Sequence, residues 1–237
     1  MTRISICVLL LLAATARAQD AVVLSADADL RHGGGASALW IHPRGPTTLT
    51  AGLTFFSLSE TRWAYGTAGG MLRANERTIV NAEANLGRGD DARGGFRYVL
   101  VRGGVTQELL AKRLWGEAEW LQVDVARRQN GIARVGATYR VLPPLTLRGS
   151  VYRSLAGDDD TTLATMRGDY DLGSMTAIAG FSAGRATPVL LQQSGTDETR
   201  VREAFGGVAV RGWTIIAIVG EDRQRLSVSW RIPMGER

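Results

Sequence analysis

Residue types that support many common chemistries are scarce in this chain. Cys7 is the only cysteine, Lys112 is the only lysine, and the two histidines are His32 and His42. A single cysteine cannot form an intrachain disulfide, and two histidines among scattered carboxylates lack the spacing of a metal site. We therefore predict no disulfide, no metal and no cofactor.

The rarity of lysine leaves arginine as nearly the only basic residue, and the arginines are spread along the whole chain. If Arg3 and Arg17 are removed with an N-terminal signal, Lys+Arg falls from 28 to 26 against 23 acids, a net charge of about +3. A nucleic-acid surface would instead concentrate its basic residues, with aromatic residues between them. The sequence therefore predicts no nucleic-acid partner.

Long apolar runs are missing beyond the first residues. Arg3, the apolar run Ile4–Ala14 and the site Ala16-Arg17-Ala18 form the pattern of a secretory signal peptide. The apolar run is shorter than the roughly 20 residues that a membrane-spanning helix needs. We predict that residues 1–18 are a cleaved signal peptide, which removes Cys7, and that residues 19–237 form one domain.

Alternation of apolar and polar residues is abundant. Between Asn130 and Leu172, three runs of roughly ten residues alternate in this way, a length that suits a tilted membrane-spanning strand. Because successive side chains of a strand point to opposite faces, one row of each run is expected to face lipid. The predicted lipid-facing residues are Ala133, Val135, Ala137, Leu145, Leu147, Ala164 and Met166.

Similar runs occupy the rest of the chain from Val22 to Ile232, and we count fourteen strands, or twelve if weak early strands merge. Most connections after even-numbered strands are short, whereas those after strands five, nine and eleven are long. Bacterial outer-membrane barrels show this alternation of short periplasmic turns and longer extracellular loops. The predicted fold is all-β: a transmembrane antiparallel up-and-down β-barrel of 12–14 strands. A soluble lipocalin-like barrel or a β-sandwich is the alternative.

Several local features are predicted within this pattern. Gly87–Gly95 is a polar loop, Gly184–Arg200 is the longest loop, and the faces of Phe96–Val105 cannot be assigned. A β-bulge near Trp120-Leu121 would bring four polar residues of one strand to the same side. The tryptophans fall mostly near strand ends, where an interfacial girdle is expected. The four polar residues are Glu117, Glu119, Gln122 and Asp124, and the tryptophans are Trp40, Trp63, Trp115, Trp120, Trp213 and Trp230.

Two segments, Trp120–Ser154 and Arg167–Pro188, carry a resemblance to a known family. They resemble the YaiO-type family of outer-membrane β-barrel proteins, which has a run of amphipathic strands, then an aromatic-acidic strand, a glycine-rich strand and a small-residue loop. The resemblance implies a barrel of roughly twelve strands in the outer membrane, with outer-membrane lipid and the barrel-assembly machinery as partners. It implies no catalytic residues. Trp230 is the aromatic residue near the end of the chain that the assembly machinery could recognise.

Charged residues collect on the predicted inner faces of the strands. One interpretation is a charged channel or a pathway for an acidic sugar, with an envelope glycan or a small solute as the ligand. The other, which we favour, is a salt-bridge network that fills a narrow barrel, because buried charges must be paired. The candidate lumen-lining residues are Asp27, Asp29, Glu83, Glu117, Glu119, Arg134, Arg140, Arg148, Arg167, Asp169 and Asp171.

The sequence favours a protein without enzymatic activity. We predict a structural or surface-interaction barrel of the bacterial outer membrane, or a narrow pore for envelope solutes. The alternative is a barrel enzyme that acts on envelope lipid or glycan, which would need His32 or His42 beside a nucleophile such as Ser37 or Ser57. No spacing in the sequence fixes such a triad. The Asp158-Asp159-Asp160 run is predicted to be a solvated loop rather than a calcium site.

Overall fold

The computed structural model describes residues 20–29, 33–58, 61–125, 128–157, 160–186, 199–221 and 224–234, and these residues form fourteen strands. The predicted signal peptide, His32, Asp158, Asp159 and most of the predicted loop after residue 184 lie outside the described residues. The described part of the chain contains no helix long and apolar enough to cross a membrane. The strands are β1 Asp20–Asp29, β2 Gly33–Arg44, β3 Thr47–Leu58, β4 Thr61–Asn75, β5 Thr78–Asp91, β6 Gly94–Leu110, β7 Leu114–Val125, β8 Arg128–Leu142, β9 Leu145–Gly157, β10 Thr162–Asp171, β11 Thr176–Ala186, β12 Thr199–Val210, β13 Trp213–Gly220 and β14 Gln224–Met234.

The strands form one closed antiparallel barrel. Each strand pairs with its neighbour in the sequence, and β1 closes the ring by pairing with β14 from Asp20↔Met234 to Asp29↔Arg225. Closure leaves no free strand edge, which is a requirement for a sheet in lipid. The prediction of an up-and-down barrel with fourteen strands is confirmed. We call the end at which β1 begins the lower end and the other end the upper end.

The outer surface of the barrel is apolar over most of its height. Leu53, Val135 and Leu86 point outward with 71%, 64% and 59% of their surfaces exposed. Large apolar side chains that are exposed all round a closed sheet have no partner within the molecule, and lipid is the environment that suits them. The alternative of a soluble lipocalin-like barrel or β-sandwich required a polar outer surface, and it is wrong.

Two local predictions are also wrong. Gly87–Gly95 is not a loop, because β5 continues to Asp91 and β6 begins at Gly94, so only two residues connect them. A membrane-spanning strand needs about 9–11 residues, whereas β5 has 14 and β6 has 17. The polar ends of these strands therefore stay paired beyond the apolar surface.

No bulge interrupts β7 near Trp120. The strand pairs with β8 in unbroken register from Leu114↔Tyr139 to Val125↔Arg128, so Glu119 points inward and Asp124 points outward. Outward placement of Asp124 is tolerated because it lies near the upper end of β7 and forms an ion pair with Arg97. The register shifts instead lie near strand ends, between Arg73 and Asn75, between Glu108 and Leu110, and at both ends of the β8–β9 pairing.

The tryptophans divide between the two surfaces of the barrel. Four of them are exposed on the outside, and among these Trp213 stacks on Trp230 with ring centroids 5.0 Å apart. Trp63 is buried inside the barrel. Trp115 also lies on the inner face, where the guanidinium of Arg140 faces its ring. The prediction of an interfacial girdle therefore fails for Trp63 and Trp115. The outward tryptophans are Trp40, Trp120, Trp213 and Trp230.

Gly87 provides space for aromatic packing inside the upper half of the barrel. It lies between Tyr65 of β4 and Tyr98 of β6 in one row of the sheet, and the two tyrosine rings stack above it at 4.7 Å. A methyl group at Gly87 would overlap the carbonyl oxygen of Ala64 and the backbone of Tyr65. Gly87→Ala is therefore expected to lower the free energy of unfolding by about 1–3 kcal/mol, measured by denaturant titration in lipid.

Gly66 is the matched control for this prediction, since it lies on the outer face of the neighbouring strand and a methyl group there would have no neighbour closer than 3.9 Å. Gly66→Ala is expected to change the unfolding free energy by less than about 1 kcal/mol, in the stabilising direction. Equal effects of the two substitutions would show that the inner aromatic row is not tightly packed.

Candidate functional site: a charged belt beneath an aromatic layer

A belt of paired charges crosses the inside of the barrel at mid-height from β5 to β10. At one end, Arg102 Nη2 lies 2.8 Å from Glu83 Oε2, and Asn85 donates a hydrogen bond to the other oxygen of Glu83 at 2.9 Å. Thr67 of β4 donates in turn to Asn85 at 2.6 Å. Neutral hydrogen-bonding groups therefore support the carboxylate of this buried pair.

The centre of the belt is Arg134 on β8. Its Nη2 lies 2.7 Å from Glu117 Oε2 and its Nη1 lies 3.0 Å from Glu119 Oε2, so one guanidinium holds both carboxylates of β7. The guanidinium carbon also lies 5.7 Å from the centre of the Tyr152 ring. All these side chains are largely buried, so the ion pairs are shielded from water and salt.

Glycine makes the contact between β5 and β7 possible. Asn81, Gly104 and Glu119 follow each other in one row across β5, β6 and β7. The Glu119 side chain occupies the space that a side chain at Gly104 would fill, and it accepts a hydrogen bond from Asn81 at 3.4 Å. Alternation alone could not show that a carboxylate would span the intervening strand.

The other end of the belt lies on β9 and β10. Arg167 Nη2 lies 2.6 Å from Asp169 Oδ1, and Arg148 Nε lies 3.5 Å from the second oxygen of Asp169. Across β5 to β10 the belt thus contains four arginines and four carboxylates, and its charges balance. The arginines are Arg102, Arg134, Arg148 and Arg167, and the carboxylates are Glu83, Glu117, Glu119 and Asp169.

An apolar layer lies above this belt, nearer the upper end. It is continuous with the aromatic packing at Gly87: Phe56 stacks on Trp63 at 5.0 Å, and Phe96 packs beside them. Glycines in the same row make room for the rings, because the Phe56 ring covers Gly35 and the Phe96 ring covers Gly89. We call the following residues the aromatic layer: Phe56, Trp63, Tyr65, Phe96, Tyr98, Leu100, Leu121, Val123, Val125, Ile132, Tyr152, Leu163, Ala186 and Val201.

The wall of the barrel formed by β11–β14 and β1 differs from the belt. Ile178, Ile216 and Ile218 form a second apolar cluster with Phe205 packed against it. Beside it, Arg225 Nη2 lies 2.7 Å from Asp27 Oδ1, and both side chains are at least 96% buried. The interior therefore offers the charged belt, the aromatic layer and a third wall that combines an apolar cluster with a buried ion pair.

The structure places the predicted lumen-lining residues in three groups. Eight of the eleven lie on the inner face with most of their surface covered, and seven of these belong to the belt. Arg140 and Asp171 are exposed at the lower end, where Asp171 accepts a hydrogen bond from the backbone of Gly173. Asp29 is half-buried at the upper end of β1. The eight covered residues are Asp27, Glu83, Glu117, Glu119, Arg134, Arg148, Arg167 and Asp169.

Sequence reasoning missed Arg102, Arg225 and the aromatic layer. Arg102 lies in Phe96–Val105, whose faces could not be assigned, although the inward placement of its charge would have fixed the parity of the strand. Arg225 lies at the start of β14, just before the alternating run of residues 226–232. The aromatic layer gave no signal, because an inward-pointing apolar residue looks the same in the sequence as a lipid-facing one.

Among the described residues, which do not include His32, no catalytic triad is brought together. His42 lies on the outer face near the lower end, where its Nδ1 is 2.6 Å from Asp20 Oδ1 and its ring stacks on Trp40. Ser37 points inward on the same strand and Ser57 lies near the upper end of β3. In the described part of the chain, no three His, Cys, Asp or Glu side chains are grouped as a metal site requires.

The closed barrel of fourteen strands is the fold of outer-membrane channels and porins. Similar solved structures include the P. putida toluene transporter TodX, with 11% identity, 94% of this chain and 92% of that chain covered, and a TM-score of 0.63. The monoaromatic hydrocarbon channel CymD has 9% identity, covers 93% and 90%, and has a TM-score of 0.67. The KdgM porin in complex with disordered oligogalacturonate has 9% identity, covers 91% and 99%, and has a TM-score of 0.51.

These identities are low, so the likeness shows a shared fold. No protein-family model matches the sequence, and no curated protein is significantly similar to it. The resemblance to the YaiO-type family therefore stays a prediction, as does the signal peptide.

Proposed function

We propose that this protein is an outer-membrane channel for small uncharged solutes with an aromatic or apolar surface. The observation that carries the proposal is the aromatic layer, which lies directly above a belt whose charges balance. Aromatic side chains bind apolar rings in offset-stacked or edge-to-face geometry. A charge-balanced belt gives neither cations nor anions a net attraction.

The solved structures with this fold agree with a channel. TodX is described as a toluene transporter and CymD as a monoaromatic hydrocarbon channel. The KdgM complex contains oligogalacturonate, which is an acidic sugar. An acidic sugar would be expected to need arginines in excess over carboxylates along its path, and each arginine of the belt has a carboxylate partner. The inner surface therefore supports an aromatic solute better than an acidic one.

The proposal includes no catalysis. His42 contacts Asp20 and Trp40 on the outer face, away from the aromatic layer and the belt. The belt itself holds its carboxylates in ion pairs with arginines, which suits a structural network better than proton transfer. In this proposal the belt is a structural network, and the aromatic layer beside it is the path of the solute.

Proteoliposomes with lipopolysaccharide in the outer leaflet provide the test, because that leaflet slows apolar solutes. Radiolabelled toluene, arabinose and galacturonate represent an aromatic, a neutral polar and an anionic solute. We expect the protein to raise the uptake of toluene and to leave the uptake of the two sugars near that of protein-free vesicles. Replacing Tyr65 and Tyr98 together with alanine is expected to lower the toluene-to-arabinose uptake ratio by up to about tenfold, because a stacked aromatic pair is lost.

Tyr139→Ala/Tyr170→Ala is the matched control, since it also removes two tyrosines but from the outer face of the barrel. This control should keep the uptake ratio of the original protein. Efficient uptake of galacturonate, or a large and stable ion-selective current in planar bilayers, would contradict the proposal and indicate an open polar pore. Toluene uptake no faster than in protein-free vesicles would refute transport of aromatic solutes.

A further inference from the structure

Arginines form a row on the outer face of the barrel near the upper end of β9–β12. Arg153 lies opposite Thr162, Thr162 opposite Arg185, and Arg185 opposite Arg200, so three of the four positions in this row are arginines. Arg202 lies on the same face of β12, two residues below Arg200. All four arginines are exposed. We call Arg153, Arg185, Arg200 and Arg202 the arginine row.

The placement of Arg185 directly opposite Arg200 is unfavourable in the protein alone. Like charges at opposed positions of neighbouring strands repel each other. Adjacent strands lie about 4.8 Å apart, so the guanidinium groups of the two arginines can bind the same anion. Guanidinium groups bind phosphate in bidentate geometry more readily than other side chains do. Among the described residues, Arg202 of the row forms an ion pair with Glu221 at 3.6 Å, and both of these side chains are exposed.

The opposite side of the upper end provides a comparison. There, on β4–β7, Arg62 lies opposite Asp90, and Arg97 forms an ion pair with Asp124 although it also lies opposite Arg88. Three arginines thus share two carboxylates within the sheet. Among the described residues, the arginine row has one acidic partner for four arginines, so fewer of its charges are neutralised within the sheet than on β4–β7.

The outer face becomes apolar immediately below the arginine row. The next outward positions are Val151 on β9, Ala164 on β10 and Ala183 on β11, followed by Met166 and Phe181. A charged row at the edge of an apolar surface matches a lipid, with its head group at the row and its chains along the strands below. A free phosphate ion would make no favourable contact with this apolar surface.

The connections fix which leaflet is involved. The connections at both ends have two to four residues, with one exception: the connection between β11 and β12, at the upper end, comprises residues 187–198. Barrels of this kind keep short turns in the periplasm and longer loops outside. The upper end therefore faces the cell exterior, where the outer leaflet is built from phosphorylated glycolipid.

We propose that the arginine row binds the phosphate groups of an outer-leaflet glycolipid, whose acyl chains lie along β9–β11. The proposal rests on the proposed position of the barrel in the outer membrane and not on the solute that the barrel transports. One lipid would occupy a defined site on one side of the barrel, whereas lipids elsewhere on the outer surface would exchange freely.

Native mass spectrometry of the folded full-length barrel in detergent tests the site. The probes are diphosphoryl lipid A, the same lipid without phosphates, and inorganic phosphate as a competitor. We expect one diphosphoryl lipid A to be retained by the original protein, and about tenfold weaker binding by Arg185→Gln/Arg200→Gln, because two charged hydrogen-bond donors are lost. Removal of the lipid phosphates should weaken binding to a similar extent. Arg185→Lys/Arg200→Lys keeps the charge and should bind with intermediate strength.

Arg62→Gln/Arg88→Gln is the matched control, because it removes two outward arginines from the other side of the upper end. It should retain lipid A as the original protein does. Unchanged binding by Arg185→Gln/Arg200→Gln would overturn the proposal. An equal loss in the control would overturn it in favour of a general charge effect. Displacement of the lipid by inorganic phosphate at equal concentration would overturn it in favour of a free-anion site.

Heat-dependent migration on gels shows whether each variant has folded before lipid is added. Toluene uptake by the same variants separates this proposal from the proposed transport. Loss of lipid with unchanged uptake in Arg185→Gln/Arg200→Gln would support the lipid site, whereas normal lipid binding by a barrel that transports no toluene would leave the site in place and refute the transport.

Discussion

Replacing Arg134 with alanine is expected to lower the free energy of unfolding of the barrel by about 3–5 kcal/mol. Arg134 is the partner of both Glu117 and Glu119, and all three side chains are largely buried inside the barrel. Without the guanidinium, two adjacent carboxylates would remain in a region with little water. Removal of one partner from a buried ion pair costs more than the pair itself contributes, because a charge is left uncompensated.

The measurement is unfolding in denaturant of the protein refolded into bilayers. Arg140→Ala is the matched control, since Arg140 lies on the same strand, points to the same face, and is exposed at the lower end above the Trp115 ring. This substitution should cost less than about 1 kcal/mol. If Arg134→Ala were as mild as Arg140→Ala, the belt would be hydrated, and the interior would be an open pore.

A combined variant separates the loss of a charge partner from the loss of packing. Glu117→Gln/Glu119→Gln in the Arg134→Ala background removes the unpaired charges and should recover more than half of the lost stability. Arg148→Ala should be milder than Arg134→Ala, because Asp169 keeps its 2.6 Å contact with Arg167. Ranking the three variants by their free energy of unfolding therefore shows which ion pair of the belt contributes most to stability.

Val135→Arg is expected to lower the free energy of unfolding by about 2–4 kcal/mol, because it places a charge in the centre of the lipid-facing surface. Val135 lies in the middle of β8 and has 64% of its surface exposed. Bilayer refolding followed by denaturant titration measures the effect. The effect should disappear in a detergent whose micelle lets water reach this surface.

Val219→Arg is the matched control for this substitution. Val219 has the same side chain, points outward with 58% of its surface exposed, and lies one residue from the upper end of β13. A charge at the membrane boundary should cost between about 0 and 1 kcal/mol. Equal costs at the two positions would mean that the apolar surface does not span the height that we assign to it.

The predicted strands from Asn130 to Leu172 agree closely with the structure, because each has a clear alternation that includes a charge. Arg134, Arg148 and Arg167 each mark the inner face, and Val135, Leu147 and Met166 each mark the outer face. A charge facing lipid is costly, so a charged residue shows which of the two alternating rows of a strand points into the barrel. The same reasoning failed at Asp124, which lies near the end of its strand, where a charge can point outward without entering the lipid.

Prediction was weakest where inner and outer residues are both apolar. In β6, Tyr98 and Leu100 point inward while Val101 and Val105 point outward, and neither row is more polar than the other. The prediction of a polar lumen concealed the aromatic layer for the same reason. Trp63 was expected at the membrane interface because of its place near a strand end, yet its parity places it inside.

The sequence by itself determined the class of fold, a strand number of twelve to fourteen and the inner face of the strands between Asn130 and Leu172. These features depend on the alternation of neighbouring side chains, which the covalent geometry of an extended chain fixes locally. The tertiary structure alone decided which side chains meet, such as Glu119 with Asn81 across Gly104, Tyr65 with Tyr98 above Gly87, and Arg185 with Arg200 on the outside. Such contacts depend on the register between neighbouring strands, which the connections and the burial of one face set and which alternation within a single strand does not reveal.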